Sequence, residues 1–475
     1  MIADSKGSRR PDTSLAREGN RGDALMRILA GLLTLVSTIG VHASLSQQAP
    51  LHPHVPNHLL VRPSSQAHPD AVETLRLRLG AVVKDRFREL NGLQVWTLGP
   101  STSVREALSI SLRSGLFQLV EPDYLQFATV APNDPFFADG SQWHLENTGR
   151  QGGSQGADIS ALDGWAIRTD ATEVTVAIID TGARLTHEDL RPNLWHNPGE
   201  IAGNGKDDDQ NGIIDDIHGI NSIRDHGDPS DDTGHGTHVS GLVGAVGDNR
   251  KGSTGVAWNV KLMPLRFLNR FGEGATSDAI QCINYAINNG ADIINNSWGS
   301  NAFSGALSSA IGRAFQEDVL IVAAAGNERR NNDVIPLYPA NYPQSNVLSI
   351  AATTHRDALA SYSNYGATTV DIAAPGNAIF STWGRSDRAY DLASGSSMSA
   401  PIVSGAAALM RAHFPSASAS EIAARMIATV DPLPSLRGRC VSEGRLNLAL
   451  ALGPDLVAGF TMSPNGGAPP PSRQF

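Results

Sequence analysis

The sequence predicts an α/β fold with a mostly parallel central sheet covered on both faces, preceded by a small α+β unit. Three observations lead there. The run VTVAII at 174–179 is almost continuously apolar, as expected for a parallel strand buried on both sides. Between residues 133 and 453, apolar strand patterns alternate with helical ones, the signature of a sheet layered between helices. Upstream, residues 58–128 carry a separate set of short strands and helices.

The elements follow in order. In the first unit HLLVR (58–62) and LQVWTL (93–98) read as strands. DAVETLRLRL (70–79) and VREALSISL (104–112) read as helices, and FQLVEPDYLQFA (117–128) as a last strand region. In the second, TSDAIQCINYAINNG (276–290) opens at Ser/Thr caps and closes at Gly290, so it reads as a helix. ADIINNS (291–297) and VLIVAAAG (319–326) are further strands, with a helix around 304–317 between them. Ser418 stands three residues before Glu421, the capping-box spacing, and opens another helix.

The flanks have other characters. Residues 26–43, MRILAGLLTLVSTIGVHA, place an arginine before a short apolar run and small residues after it. That is the layout of a signal peptide, and it predicts a secreted or extracytoplasmic protein. Residues 1–25 are polar; a long leader and a translation start at Met26 both fit. Residues 44–57 read as a linker and 454–475 as a flexible Gly/Pro-rich tail. A net charge of −10 argues against a dominant nucleic-acid surface. Cys282 and Cys440 are compatible with one bridge or with two buried thiols.

Four polar positions suggest chemistry. Asp180 ends the apolar strand in AIIDTG, and sites of open α/β sheets gather at such carboxyl ends. His235 and His238 lie among glycines in DDTGHGTHVSGLVGAV; without HExxH or a Cys/His cluster, zinc is disfavoured. Asn327 follows a strand in VAAAGNE, where its carboxamide N–H₂ suits charge developing on an oxygen. Ser397, in GSSMSAP, precedes a run of small and apolar residues. A serine there caps a helix, and becomes a nucleophile only when a histidine takes its proton and a carboxylate orients that histidine. The chain order Asp180, His235, Ser397 differs from that of chymotrypsin and of α/β-hydrolases, and GSSMSAP is no GxSxG elbow.

Across roughly residues 55–450 the motifs resemble those of the subtilisin-like (subtilase) serine endopeptidases: IIDTG, HGTHVSG, GSSMSAP, AAGN, NSWGS and VDIAAPG, separate and correctly ordered. The resemblance implies a subtilisin-like three-layer fold and peptide-bond hydrolysis through Asp180, His235 and Ser397, with Asn327 as oxyanion donor. It implies substrate binding along Ser297, Trp298 and Gly299, opposite Ala323, Ala324, Ala325 and Gly326, where small residues suggest a roomy apolar pocket. Ser396 departs from the family's usual threonine, which predicts modest loosening. By the same resemblance residues 58–128 are an inhibitory propeptide, cut between about Thr129 and Asn133. The catalytic domain would then span 133–453 and act as a monomer on protein or peptide substrates. An inactive peptide binder and a peptide ligase using the same triad are the rival readings.

NGKDDDQNGIIDDIHG (204–219) sets Asp207, Asp209, Asn211 and Asp215 at positions 1, 3, 5 and 9 of an EF-hand-like loop, with the Ile213 carbonyl at 7. His218 stands where that loop needs glutamate, so it is not an EF-hand. The oxygen-rich set still favours calcium over zinc. Acidic inserts in the resembling family bind calcium, and Asp216 is placed to supply the missing carboxylate. A structural calcium is the expectation; a solvent-facing acidic turn is the alternative.

Overall fold

In the computed structural model, residues 54–125 and 130–453 are described. The expected signal segment, most of the expected linker, the Gly/Pro-rich tail and residues 126–129 just before and at the start of the expected cleavage region lie outside them.

Residues 54–124 form a four-stranded antiparallel sheet ordered β2-β3-β1-β4, from β1 (His54–Pro63), β2 (Val82–Phe87), β3 (Leu93–Thr97) and β4 (Phe117–Tyr124). Helices α1 (Pro69–Arg78) and α2 (Val104–Ser114) complete it, packed around Leu59, Val61, Leu75 and Trp96. The sequence reading lacked β2. Its stretch VVKDRF has no buried face and lies at the sheet edge, so the alternation that betrays a half-buried strand is missing.

The second sheet has eight strands ordered β13-β14-β10-β9-β8-β7-β5-β6. They are β5 (Asp170–Asp180), β6 (Asn259–Arg266), β7 (Ile293–Asn296), β8 (Leu320–Ala324), β9 (Val347–Thr353), β10 (Ile372–Pro375), β13 (Asp431–Pro432) and β14 (Gly444–Arg445). All neighbours run parallel except the β13–β14 edge pair. Helices α3 (His235–Gly244) and α6 (Ser396–His413) pack in one apolar cluster, and α4 (Thr276–Asn288) and α5 (Gly305–Gln316) in another. Alternate side chains of the central strands divide between these clusters: Val176 and Ile178 belong to the first, Ala177 and Ile179 to the second. That is the doubly covered sheet which the apolar run at 174–179 predicted.

Helix α7 (Ala419–Ala428) begins with both bonds of the Ser418–Glu421 capping box. A hairpin, β11 (Ile379–Trp383) and β12 (Ala389–Ala393), leads into α6. Cys282 and Cys440 are buried free thiols in different apolar clusters, so the bridge is not made. Among the described residues no helix is long and apolar enough to cross a membrane.

Candidate active site

The ends of β5, β7 and β8 and the starts of α3 and α6 bring the sequence-predicted polar residues to one end of the sheet. Asp180, fully buried at the last position of β5, has one carboxylate oxygen on the Thr181 N–H at 2.7 Å. The same oxygen is 2.7 Å from His235 Nδ1, at the first residue of α3. Two glycines permit this approach. A Cβ on Gly182, whose φ is +99°, would lie 2.0 Å from the Pro229 carbonyl oxygen, and one on Gly236 2.1 Å from the Gly182 oxygen. Burial alone would push the His235 imidazole toward neutrality; the charge and hydrogen bond of Asp180 outweigh it and hold the pKa above the ordinary value.

His238, one helical turn on, behaves differently. It is fully buried, its Nε2 bonds the Ile379 carbonyl at 3.1 Å, and burial pushes its pKa down to about 4. Burial and the bond to Ile379 make it a neutral packing histidine rather than a second base beside Asp180.

Ser397 is the second residue of α6, a helix whose interior is lined by buried small and apolar residues from Ala400 to Met410. Its hydroxyl donates to the Ser297 carbonyl at 3.1 Å rather than to His235, and the Ser297 hydroxyl donates back to the Ser397 carbonyl at 2.9 Å. Apo active sites commonly show such looser pairings. The Asn327 side-chain oxygen accepts from the Ser396 backbone N–H at 2.8 Å and its hydroxyl at 3.1 Å. With the oxygen so occupied, the N–H₂ faces away as a free donor. The Ser396 hydroxyl also accepts from the Gly326 N–H at 3.0 Å. The Ser396 hydroxyl thus bonds both the Asn327 oxygen and the Gly326 N–H.

Ser297, Trp298 and Gly299 extend from β7, and the next residue, Ser300, pairs with Tyr338 in both directions. Ala323, Ala324, Ala325 and Gly326 are buried along and just past β8. Leu337 packs against the glycine of each segment. A Cβ on Gly299 would lie 2.7 Å from a Leu337 methyl, and one on Gly326 2.9 Å from the same methyl. No local pattern marks Leu337 in the sequence; its role depends on a loop folding back.

The acidic loop assembles a different carboxylate set from the one read in sequence. Glu200, Asp207 and Asp209 bring donor oxygens within 4.8 Å of one another. Glu200 is buried; one oxygen accepts from the Asp208 and Asp209 N–H groups, and the other has no hydrogen-bond partner. An orphaned buried carboxylate oxygen beside two more carboxylates fits a hard divalent cation. Asn211 donates to Asp209 and Asp216 and accepts from the Ile213 N–H. Asp215 turns instead to the N–H groups of Gly203, Asn204 and Gly205, and Asp216 is buried against the Tyr285 hydroxyl and Asn197. Neither carboxylate joins the group of three. Glu200 escaped the sequence reading because it lies outside the EF-hand-like spacing.

Comparison with known proteins follows the same lines. The subtilase (peptidase S8) family matches residues 171–453. A thermophilic serine proteinase of Bacillus sp. (strain AK1) is 32% identical over 75% of this chain and 78% of its own length. Thermitase of Thermoactinomyces vulgaris is 33% identical over 66% of this chain and 97% of its own. A solved protease structure from Pseudoalteromonas arctica, 30% identical, covers 68% of this chain and 99% of that one with a TM-score of 0.53.

Proposed function

The chain belongs to the subtilase family of serine endopeptidases, and from that membership we propose how it hydrolyses its protein or peptide substrates. Ser397 attacks the scissile carbonyl while His235 takes its proton. Asp180 holds the imidazole tautomer and stabilises the imidazolium. The Ser397 N–H and the Asn327 amide receive the oxyanion, His235 then protonates the leaving amine, and water releases the acyl group from Ser397. The observation that carries this reading is the 2.7 Å contact between buried Asp180 and His235. Cleavage of an unstructured protein, blocked by a serine-directed phosphonate, is the direct test. Digestion that the phosphonate leaves untouched would oppose it.

Asn327→Ala should lower kcat by roughly 10²–10³ with little change in KM, the loss found for the equivalent donor in subtilisin, a family member. Single-peptide kinetics measure it. Leu337, if it floors the primary pocket, makes small and unbranched apolar side chains the preferred class. Leu337→Ala should then raise kcat/KM for a phenylalanine peptide over an alanine peptide by about tenfold or more, a change of about two methylenes in pocket depth. A matched peptide pair checks this.

Residues 58–128 are proposed as an intramolecular inhibitor and folding aid, removed by cleavage between about Thr129 and Asn133 after the signal segment directs secretion. A calcium ion is proposed at Glu200, Asp207 and Asp209, with Asn211 and the Ile213 carbonyl alongside, as a stabiliser outside the chemistry. Calcium at a hundred times its Kd would add about 2.7 kcal/mol to stability. A chelator should therefore lower Tm by several degrees in the wild type and far less in Glu200→Gln, which thermal unfolding with and without calcium reads out.

A further inference from the structure

A second polar feature lies beside the site, outside the triad and the acidic loop. A cavity of about 280 Å³ opens between Arg329 and Arg439, with Ser361, Ser435 and Tyr365 along it and no carboxylate among its lining residues. The Arg439 guanidinium lies 4.4 Å over the Tyr365 ring. Among the described residues, neither guanidinium takes part in a hydrogen bond or an ion pair. Other arginines of the domain, such as Arg184, Arg266, Arg411 and Arg445, are each matched to an aspartate. In a chain of net charge −10, two unmatched guanidiniums facing one cavity form a local cationic focus.

The cavity is tied to the cleft. Arg329 follows Asn327 by two residues, so their Cα atoms are at most about 7 Å apart. Its φ of +56° is unusual for a side-chain-bearing residue, and its N–H bonds the Tyr362 carbonyl at 2.7 Å. Buried Asn364 fastens the two loops: its N–H donates to the Gly326 carbonyl, and its side-chain oxygen accepts from the Glu328 and Arg330 N–H groups. One stitched unit therefore carries the oxyanion amide at one end and the paired arginines at the other.

We propose that this cavity is a substrate subsite for a carboxylate within about four residues of the scissile bond. An extended chain rises about 3.3 Å per residue, so four residues span about 13 Å, more than the at most about 7 Å between the Cα atoms of Asn327 and Arg329. Arginine forks suit carboxylates by charge and by bidentate geometry. The inference rests on the protease reading and deepens it.

The test uses quenched peptides that differ by one Glu or Gln at each position, from four before the cleaved bond to four after it. One series carries a free C-terminus and one an amide, to separate a side-chain from a terminal carboxylate. Expected is a window in which the charged peptide is favoured about tenfold in kcat/KM, mainly through KM, and less so in high salt. Arg329→Gln/Arg439→Gln should bring that ratio to one without changing hydrolysis of the uncharged peptide. Arg439→Gln alone, which leaves the unusual Arg329 backbone untouched, should reduce it. Equal cleavage of charged and uncharged peptides throughout, or a preference that survives the double variant, overturns the subsite. Failure to cleave any peptide would instead refute the protease reading beneath it.

Discussion

Ser397→Ala, once its residues before about Asn133 have been cut away by an added protease that is then removed, should abolish measurable turnover, lowering kcat by roughly 10⁶ while leaving KM for a bound peptide within a few-fold. That is the scale on which removal of the nucleophile alone acts in subtilisin, another member of this family. The residual rate would come from the oxyanion donors and binding, both of which survive. Helix α6 should tolerate the change. Ser397 is only its second residue, and the buried run from Ala400 to Met410 that anchors it is untouched. Unchanged thermal unfolding alongside the lost activity would separate a chemical role from a structural one. A variant retaining a tenth of the wild-type rate would mean that the nucleophile lies elsewhere.

Asp180→Asn is expected to cost about 10⁴ in kcat, because a carboxamide neither selects the productive imidazole tautomer nor stabilises the imidazolium. It should also move the pH profile. His235 must be neutral to accept a proton, and the Asp180 charge holds its pKa above the ordinary value. In the wild type, kcat/KM should therefore rise with pH through a midpoint above 6.5, the ordinary histidine value. With the charge removed, burial, the largest influence on the imidazole, is opposed only by the lesser pull of Asp231, and the pKa falls. The acid limb of the variant should then shift to lower pH even as its plateau collapses. A profile with an unmoved midpoint would uncouple Asp180 from His235.

The sequence was most readable where chemistry and periodicity coincide. Asp180 stands out because it ends an apolar run too long for a half-buried strand, and Ser418 because its helix cap is local. Asn327 could be proposed as a donor, but the reason its N–H₂ is the free end lies in Ser396, some seventy residues later. Contacts made across the fold left no local trace. Leu337 packing against Gly299 and Gly326 and the orphaned Glu200 oxygen are of this kind. So is the hairpin β11–β12, whose pairing joins Ile379 to Ala393. Alternation was absent on strand β2, which offers no buried face to generate it.

The most direct measurement is intact mass on residues 44–475 expressed with calcium, wild type beside Ser397→Ala, before and after a serine-directed phosphonate. Self-processing should bring the wild type from near full length to roughly 36 kDa, in proportion to the residues retained after the proposed cleavage. The mature wild type should take one phosphonyl group, mapped to Ser397. The alanine variant should stay whole and unlabelled. A folded wild type that neither shortens nor takes the label, or a label mapped to another serine, would contradict the assignment of Ser397 as nucleophile.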